Sequence, residues 1–158
     1  ALARHPPRAI GELLQLGAAR RGRIEARTMV EAVMSDGQRL LALNEIFVGH
    51  RSHQSARYSL SVGKRAERHS SSGMIVATGT GSTGWARSVA RSRATEMRLP
   101  APTERTLAFF VREAFPSVAT GTTLTEGLIA GEERLKQIRD AHTAIHRLEY
   151  LTAKGEIK

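Results

Sequence analysis

Residues 71–85 read SSGMIVATGTGSTGW, and this stretch has three parts. An apolar, β-prone run over 74–77 comes first, a segment of Gly, Ser and Thr follows, and a helix-compatible stretch runs from Trp85 to about Arg93. Glycine lets a backbone approach a ligand closely, Ser and Thr add hydroxyl groups, and free N–H groups at a helix start favour an anion. The order indicates a nucleotide site at the end of a strand. A tight strand-to-helix turn with a Ser or Thr cap is the structural alternative.

The composition is that of one globular domain. The chain has 158 residues, of which 41% are hydrophobic and 25% charged, so it can bury an adequate core. No apolar run approaches the roughly 20 residues that span a bilayer, and no signal-peptide core follows the basic residues of 1–8. The absence of cysteine excludes disulfides, thiol catalysis and Cys-ligated zinc, and it favours a cytoplasmic location.

The charge is strongly positive. The formal net charge is +9, and all but four of the 24 basic residues are arginine. Arginine binds phosphate and carboxylate bidentately, so the balance suits nucleotides, polyphosphate or nucleic acid. Aromatic residues make up only 4%, which leaves few platforms on which the bases of a single strand would stack. Nucleic acid is therefore the less favoured of these ligands.

Periodicity predicts a mostly β chain. An N-terminal helix is expected over 8–19, with a buried stripe of Ile10, Leu13, Leu14 and Leu16, and a second long helix over 130–148. Residues 35–38 carry the Asp-Gly pair of a hairpin turn. Charged residues 63–70 are expected to form a connection, and 100–105 a loop. Strands are predicted over 28–34, 40–48, 57–62, 74–78 and 106–111. With no βαβ alternation, the fold class is an α+β, β-rich, antiparallel, sandwich-like domain with few helices.

Asn44 and Glu45 interrupt an otherwise apolar run. A buried carboxylate needs a hydrogen-bonding partner or a ligand, and a carboxylate beside an amide suits the hydroxyl groups of a ribose. Neighbours in a strand face opposite ways, so the structural alternative is that one of the two side chains points to solvent.

The histidines form two spaced pairs. His50 and His53 are three apart in an expected loop, and His142 and His146 are four apart on the predicted helix. Neither pair has the further acidic or Cys ligand of a typical zinc site, so both are interpreted as structural or surface residues. No metal site is predicted. The sequence also contains no Gly-x-Ser-x-Gly elbow and no Walker-type loop.

The two polar motifs together resemble the NAD kinase family. The carrying residues are ALNEI over 42–46 and SGMIVATGTGSTGW over 72–85, with RTMVE over 27–31 similar to the strand that opens the family's C-terminal, NAD-binding domain. The resemblance covers roughly residues 25–90. Ser-Ser-Gly before the strand and Gly-Thr-Gly-Ser with Trp85 are more like the branch that contains the mitochondrial type of NAD kinase than the common bacterial type, which has Tyr at the position of Trp85.

The resemblance implies roles for individual residues. Asn44 and Glu45 would contact the ribose and adenine region of NAD. The turn of the nucleotide pocket would be formed by Thr80, Gly81 and Ser82. The site would be lined further by Thr83, Gly84 and Trp85, with Ser88 one turn on.

Two departures from the family pattern bear on function. The common bacterial form has Asp where this chain has Ser72, so a carboxylate contact to NAD is missing or supplied elsewhere. The Gly-Gly-Asp-Gly motif, which in the family binds the phosphoryl donor and carries the expected catalytic Asp, is absent from the 158 residues. The expected organisation is a lead-in and helix over 1–24 and an NAD-binding domain over 25–158, without the donor domain.

The resemblance implies an NAD kinase-like phosphotransferase. The complete enzyme would phosphorylate the 2′-hydroxyl of the NAD adenosine ribose from ATP or polyphosphate with Mg²⁺, whereas this chain alone would be inactive and its catalytic residue unknown. It also implies a homodimer or larger assembly. The alternatives are a diacylglycerol or sphingosine kinase-like C-terminal domain, which Asn-Glu with Trp85 disfavours, and a basic nucleic-acid-binding β domain.

Overall fold

The computed structural model describes residues 9–19, 25–131, 133–139 and 148–157. Within these ranges two α-helices and ten β-strands are present, and a short 3-10 helix, Gly81–Thr83, precedes the second α-helix. In chain order the elements are α1 (Ile10–Ala18), β1 (Arg27–Met34), β2 (Arg39–Ala42), β3 (Glu45–Val48), β4 (Ala56–Val62), β5 (Arg65–Ser71), β6 (Gly73–Ala77), α2 (Trp85–Ser92), β7 (Thr106–Arg112), β8 (Glu126–Ala130), β9 (Leu135–Arg139) and β10 (Leu148–Ile157).

The strands form two antiparallel sheets. The first has six strands in the order β2-β1-β10-β9-β4-β5, and the second has four in the order β3-β6-β7-β8. Every pairing is antiparallel. The predicted fold class, a β-rich, antiparallel, sandwich-like α+β domain with few helices, is confirmed.

The main core lies between the two sheets. Val30 and Leu60 of the first sheet pack in one cluster with Val76 and Phe109 of the second, and all four are almost fully buried. Removing such apolar surface from water is the chief favourable term in folding. The sandwich is therefore held by the inward face of each sheet.

The second sheet is also covered on its outer face. Helix α2 packs two small side chains, Ala86 and Ala90, against Ala77, Ala108 and Phe110. The burial on both faces explains why β6 and β7 read as continuous apolar runs without alternation.

The predicted strand over 40–48 is in fact two strands in different sheets. Strand β2 ends at Ala42 in the first sheet, and β3 begins at Glu45 in the second. Leu43 and Asn44 form the bend between them. The polar pair that interrupts the run lies at this change of sheet, with the exposed Asn44 in the bend and Glu45 at the start of β3.

The prediction that residues 63–70 form a charged connection is also wrong. Strand β5 occupies most of it and pairs with β4 along its length. Its exposed positions carry charge, as at Arg65 and Arg68, whereas His69 and Ser71 are buried. An edge strand with one solvated face can carry many charged side chains. These charges conceal the alternation of exposed and buried residues by which a strand is recognised in a sequence.

The predicted helix over 130–148 is also wrong. Strand β9 covers Leu135–Arg139, and β10, which begins at Leu148, pairs with both β9 and β1. Pairing partners distant in sequence override the local apolar spacing. His142 and His146 of the second histidine pair lie outside the described residues.

Helix α1 confirms the predicted N-terminal helix but not its buried stripe. None of its residues is buried, and Ile10 and Leu14 are 56% and 68% exposed. Neither helix in the described ranges is long and apolar enough to cross a membrane.

Replacing Phe109 with Ala should destabilise the fold by about 3–5 kcal/mol, because the ring is 1% exposed and its loss leaves a cavity between the sheets. Phe115→Ala is the matched control, since that ring is 65% exposed and its loss should change stability by about 0.5 kcal/mol or less. Urea denaturation measures both. Equal effects of the two changes would show that the core is not where the packing places it.

Candidate functional site

Thr78 anchors the loop that follows β6. Its hydroxyl donates to the Leu43 carbonyl at 2.5 Å and accepts from the N–H groups of Thr80 and Gly81 at 3.1 and 3.2 Å. Its carbonyl accepts the N–H and the hydroxyl of Ser82, at 2.9 and 3.0 Å. These N–H groups are used inside the turn, so the loop is a rigid support and not an open ring of donors.

The outer half of the loop leads into α2. The Thr83 hydroxyl donates to the Thr80 carbonyl at 3.1 Å, and the Gly84 N–H donates to the Gly81 carbonyl at 2.9 Å. Ser88 follows one turn on, where its N–H donates to the Gly84 carbonyl at 3.2 Å and its side chain is exposed. The Thr80 hydroxyl oxygen is buried and has no hydrogen-bond partner among the described residues.

Two glycines of the loop are required by close approach of other backbone. A Cβ at Gly81 would lie 2.1 Å from the Asn44 carbonyl oxygen, and a Cβ at Gly79 would lie 1.9 Å from the Ala101 carbonyl oxygen. Real atoms do not approach so closely, so neither position accepts a side chain without a backbone shift. The loop is therefore seated directly on the bend between β2 and β3.

The structure brings Glu45 to the loop and leaves Asn44 outside. The Asn44 side chain is exposed, whereas its carbonyl accepts the Thr78 N–H at 2.9 Å. Glu45 is half-buried, and one carboxylate oxygen lies 2.8 Å from the Cβ position of Gly81. The carboxylate thus borders the glycine loop at Gly81, where the loop meets the bend between β2 and β3.

Trp85 lies in a stack of three side chains at the start of α2. Its ring stacks on Phe47, with centroids 5.7 Å apart, and the Arg112 guanidinium carbon lies 5.3 Å from its centroid. Trp85 and Phe47 are about two-fifths exposed, so the stacked rings present an apolar surface that a ligand or a partner can cover. Phe47 and Arg112 were not among the residues predicted from the sequence.

A basic cleft of about 390 Å³ opens beside this stack. Phe47, Ser72, Arg112 and residues 50–54 line it, so two arginines and two histidines face one space. The pair His50 and His53, predicted as surface residues, lies on its wall. The described residues contain no group of three His, Asp or Glu side chains that could hold a metal ion.

Ser72 lies at the edge of this cleft next to a carboxylate. Its hydroxyl donates to Glu113, and the Arg112 guanidinium lies 3.2 Å from the same carboxylate. The Ser72 hydrogen bond, and then the charge of Arg112, hold the pKa of Glu113 below its usual value. The carboxylate that position 72 lacks is thus present at Glu113, directly after β7.

Comparison with known proteins gives a match in structure but not in sequence. No protein-family model and no curated protein matches the sequence. The crystal structure of yeast NADH kinase complexed with NADH superposes with a TM-score of 0.62 at 13% identity, covering 94% of this chain and 46% of that one. An NAD kinase from Archaeoglobus fulgidus in complex with ATP gives 0.63 at 20% identity, covering 99% and 61%.

The fold is NAD kinase-like. At these identities the superpositions establish the architecture, and this chain spans less than two thirds of either solved chain. The predicted resemblance is confirmed at that level. The mitochondrial branch, the individual roles of the site residues and the division at residue 24 stay predictions.

Gly81→Ala should destabilise the chain by about 1–3 kcal/mol or more, because the new methyl group meets the Asn44 carbonyl. Gly17→Ala in α1 is the control, since a Cβ there meets nothing within 4 Å and alanine favours a helix by about 1 kcal/mol over glycine. Thermal and urea unfolding measure both changes. A Gly81→Ala protein as stable as the parent would contradict the close seating of the loop on the bend.

Proposed function

We propose that this chain binds NAD as the C-terminal domain of an NAD kinase-like enzyme. The observation that carries the proposal is the Glu45 carboxylate against the Gly81 turn, together with the exposed ring of Trp85, which stacks on Phe47 of the strand that Glu45 begins. A carboxylate accepts hydrogen bonds from ribose hydroxyls, a close glycine backbone admits a flat ligand, and an indole ring stacks on a base or nicotinamide. The NAD kinase-like fold supports the same assignment.

The reaction proposed for the complete enzyme moves a phosphoryl group from ATP or polyphosphate to the 2′-hydroxyl of the NAD adenosine ribose. Catalysis of phosphoryl transfer is mostly positioning and charge stabilisation. This chain would supply the positioning: Glu45 orients the ribose, and the arginines of the cleft neutralise phosphate. Mg²⁺ would arrive with the donor, since the described residues group no three acidic or histidine ligands.

The branch of the NAD kinase family, the location of the donor site and the choice of NAD as substrate are proposed from the sequence. Ser71-Ser72-Gly73 and Trp85 support the branch that contains the mitochondrial type of NAD kinase. The absence of Gly-Gly-Asp-Gly from the 158 residues supports the assignment of the donor site and the catalytic base to another part of the enzyme. Asn44 and Glu45 with Trp85 favour NAD over a lipid substrate.

Glu45→Ala should raise the dissociation constant for NAD roughly tenfold to a hundredfold, since a hydrogen bond to a charged group is worth about 1.5–3 kcal/mol. In the complete enzyme, the use of ATP should change less than the use of NAD. Trp85 is the only tryptophan, so its fluorescence reports the titration directly, and calorimetry provides an independent value. Glu25→Ala is the control, because that exposed carboxylate pairs with Arg27 at the start of β1.

Two results would contradict the proposal. Unchanged NAD affinity in Glu45→Ala would make Glu45 structural. Tight binding of random DNA that weakens steeply with salt and is not competed by NAD would favour the basic nucleic-acid-binding alternative.

Self-association should occur through the exposed apolar surface at β2. Leu40 and Leu41 are about half exposed on this edge strand, and Leu43 follows at the bend, whereas β7 is already covered within the chain. Salt screens the +9 charge of each chain, so we expect a homodimer or larger species at micromolar concentration that strengthens with salt.

Replacing Leu40 and Leu41 together with Ser should give a monomer in light scattering. Val118→Ser is the control, because Val118 is a fully exposed apolar residue that lies in a turn outside β2. A parent chain that is monomeric at high salt would overturn the assembly.

A further inference from the structure

Glu113 is placed by an unusual backbone conformation at the edge of the cleft. It follows directly after β7, and its φ is +47°, a region that few residues other than glycine adopt. Such a conformation costs of the order of a kcal/mol or more and persists where the surroundings over-determine it. The side chain is 66% exposed, so burial does not explain the conformation. The contacts of Glu113 with Ser72 and Arg112 explain this conformation.

The contact between Glu113 and Ser72 has a fixed polarity. An ionised carboxylate only accepts hydrogen bonds, so the Ser72 hydroxyl must be the donor. The single hydroxyl proton of Ser72 is then used in the bond to Glu113, and only the lone pairs of the hydroxyl oxygen face the cleft that Ser72 lines. Ser72 therefore acts as an acceptor toward a ligand hydroxyl or amino group.

The contact between Glu113 and Arg112 fixes the cation of the same cleft. The guanidinium is held at its edge by Glu113 at 3.2 Å and on its face by the Trp85 ring at 5.3 Å. Arginine has five N–H donors in a rigid fork, so most of them stay available after one contact. Because Arg112 lines the cleft, these donors suit a phosphate oxygen.

We propose that Glu113 is a positioning residue of the ligand site: it makes Ser72 an acceptor for a ligand hydroxyl or amino group, and it holds Arg112 over Trp85 to bind the ligand's phosphate. The ligand class is a molecule that carries both groups close together, a nucleotide or sugar phosphate. The identity of that ligand as NAD rests on the proposed function. The geometry of the cleft does not depend on it.

Three single variants and one double variant test the ligand side. Glu113→Gln should weaken NAD binding about tenfold, because the neutral amide no longer pairs with the charge of Arg112, and because its NH2 group can donate to Ser72, so that Ser72 is no longer fixed as the donor. Glu113→Gly relieves the left-handed backbone yet removes the carboxylate, so it should bind as weakly while folding at least as stably. Ser72→Ala should also weaken binding, and the double variant Ser72→Ala, Glu113→Gln should lose no more than Glu113→Gln alone.

The control is a carboxylate with the same kinds of partner. Glu126, the first residue of β8, accepts a hydrogen bond from the Thr95 hydroxyl and forms an ion pair with Arg93 at 3.6 Å. Neither Glu126 nor its two partners line the cleft. Glu126→Gln should leave NAD binding unchanged. NAD binding that is equally strong in parent and Glu113→Gln would overturn the inference, as would additive losses in the double variant.

A measurement without ligand separates the two proposals. As the pH falls through the depressed pKa of Glu113, below the usual value of about 4.3, the carboxylate should release Arg112, and the fluorescence of Trp85 should change. The change should be absent in Glu113→Gln and present in Glu126→Gln, with circular dichroism confirming that each stays folded. If the parent shows this change but does not bind NAD, the proposed function fails and the positioning role stands. An identical pH profile in Glu113→Gln would overturn the positioning role.

Discussion

The hydrogen bonds between Thr78 and the bend at Leu43–Asn44 connect every part of the site. The bend is where the chain passes from one sheet to the other, and Thr78 is the first residue after the central strand of the second sheet. Through this one residue the end of β6, the start of β3 and the glycine loop become a single rigid unit. The orientation of Glu45 and the start of α2 both follow from it.

The inward-facing strands and the glycine loop could be predicted from the sequence, because their patterns are local. Asp36-Gly37 marked a hairpin, and the apolar run before Thr78 marked a buried strand. Strand β10 could not be predicted in this way, because it is specified by pairing with β1. Its own residues have no local preference that decides between strand and helix. The change of sheet falls at Asn44 and Glu45, and local periodicity does not distinguish such a polar pair at a bend from polar positions within one strand.

The site was predictable to the same extent. Glu45, Gly81 and Trp85 belong to contiguous motifs, and the structure places Glu45 against Gly81 and stacks Trp85 on Phe47 of the strand that Glu45 begins. Arg112 and Glu113 were missed because nothing in the sequence connects them with Ser72, which directly precedes β6, the strand that pairs with β7. With twenty arginines scattered along the chain, charge alone does not identify the one that a neighbouring ring and carboxylate hold in place.

The position of β10 decides when the domain can form during synthesis. It lies inside the six-stranded sheet, between β1 and β9, so strands from opposite ends of the chain are joined only through it. Until β10 has been synthesised, the β1–β2 hairpin has no strand that joins it to β9, β4 and β5 within the first sheet. Such distant pairing makes folding slow and leaves edges open to other chains. Completion of the six-stranded sheet is therefore a late event in the folding of this chain.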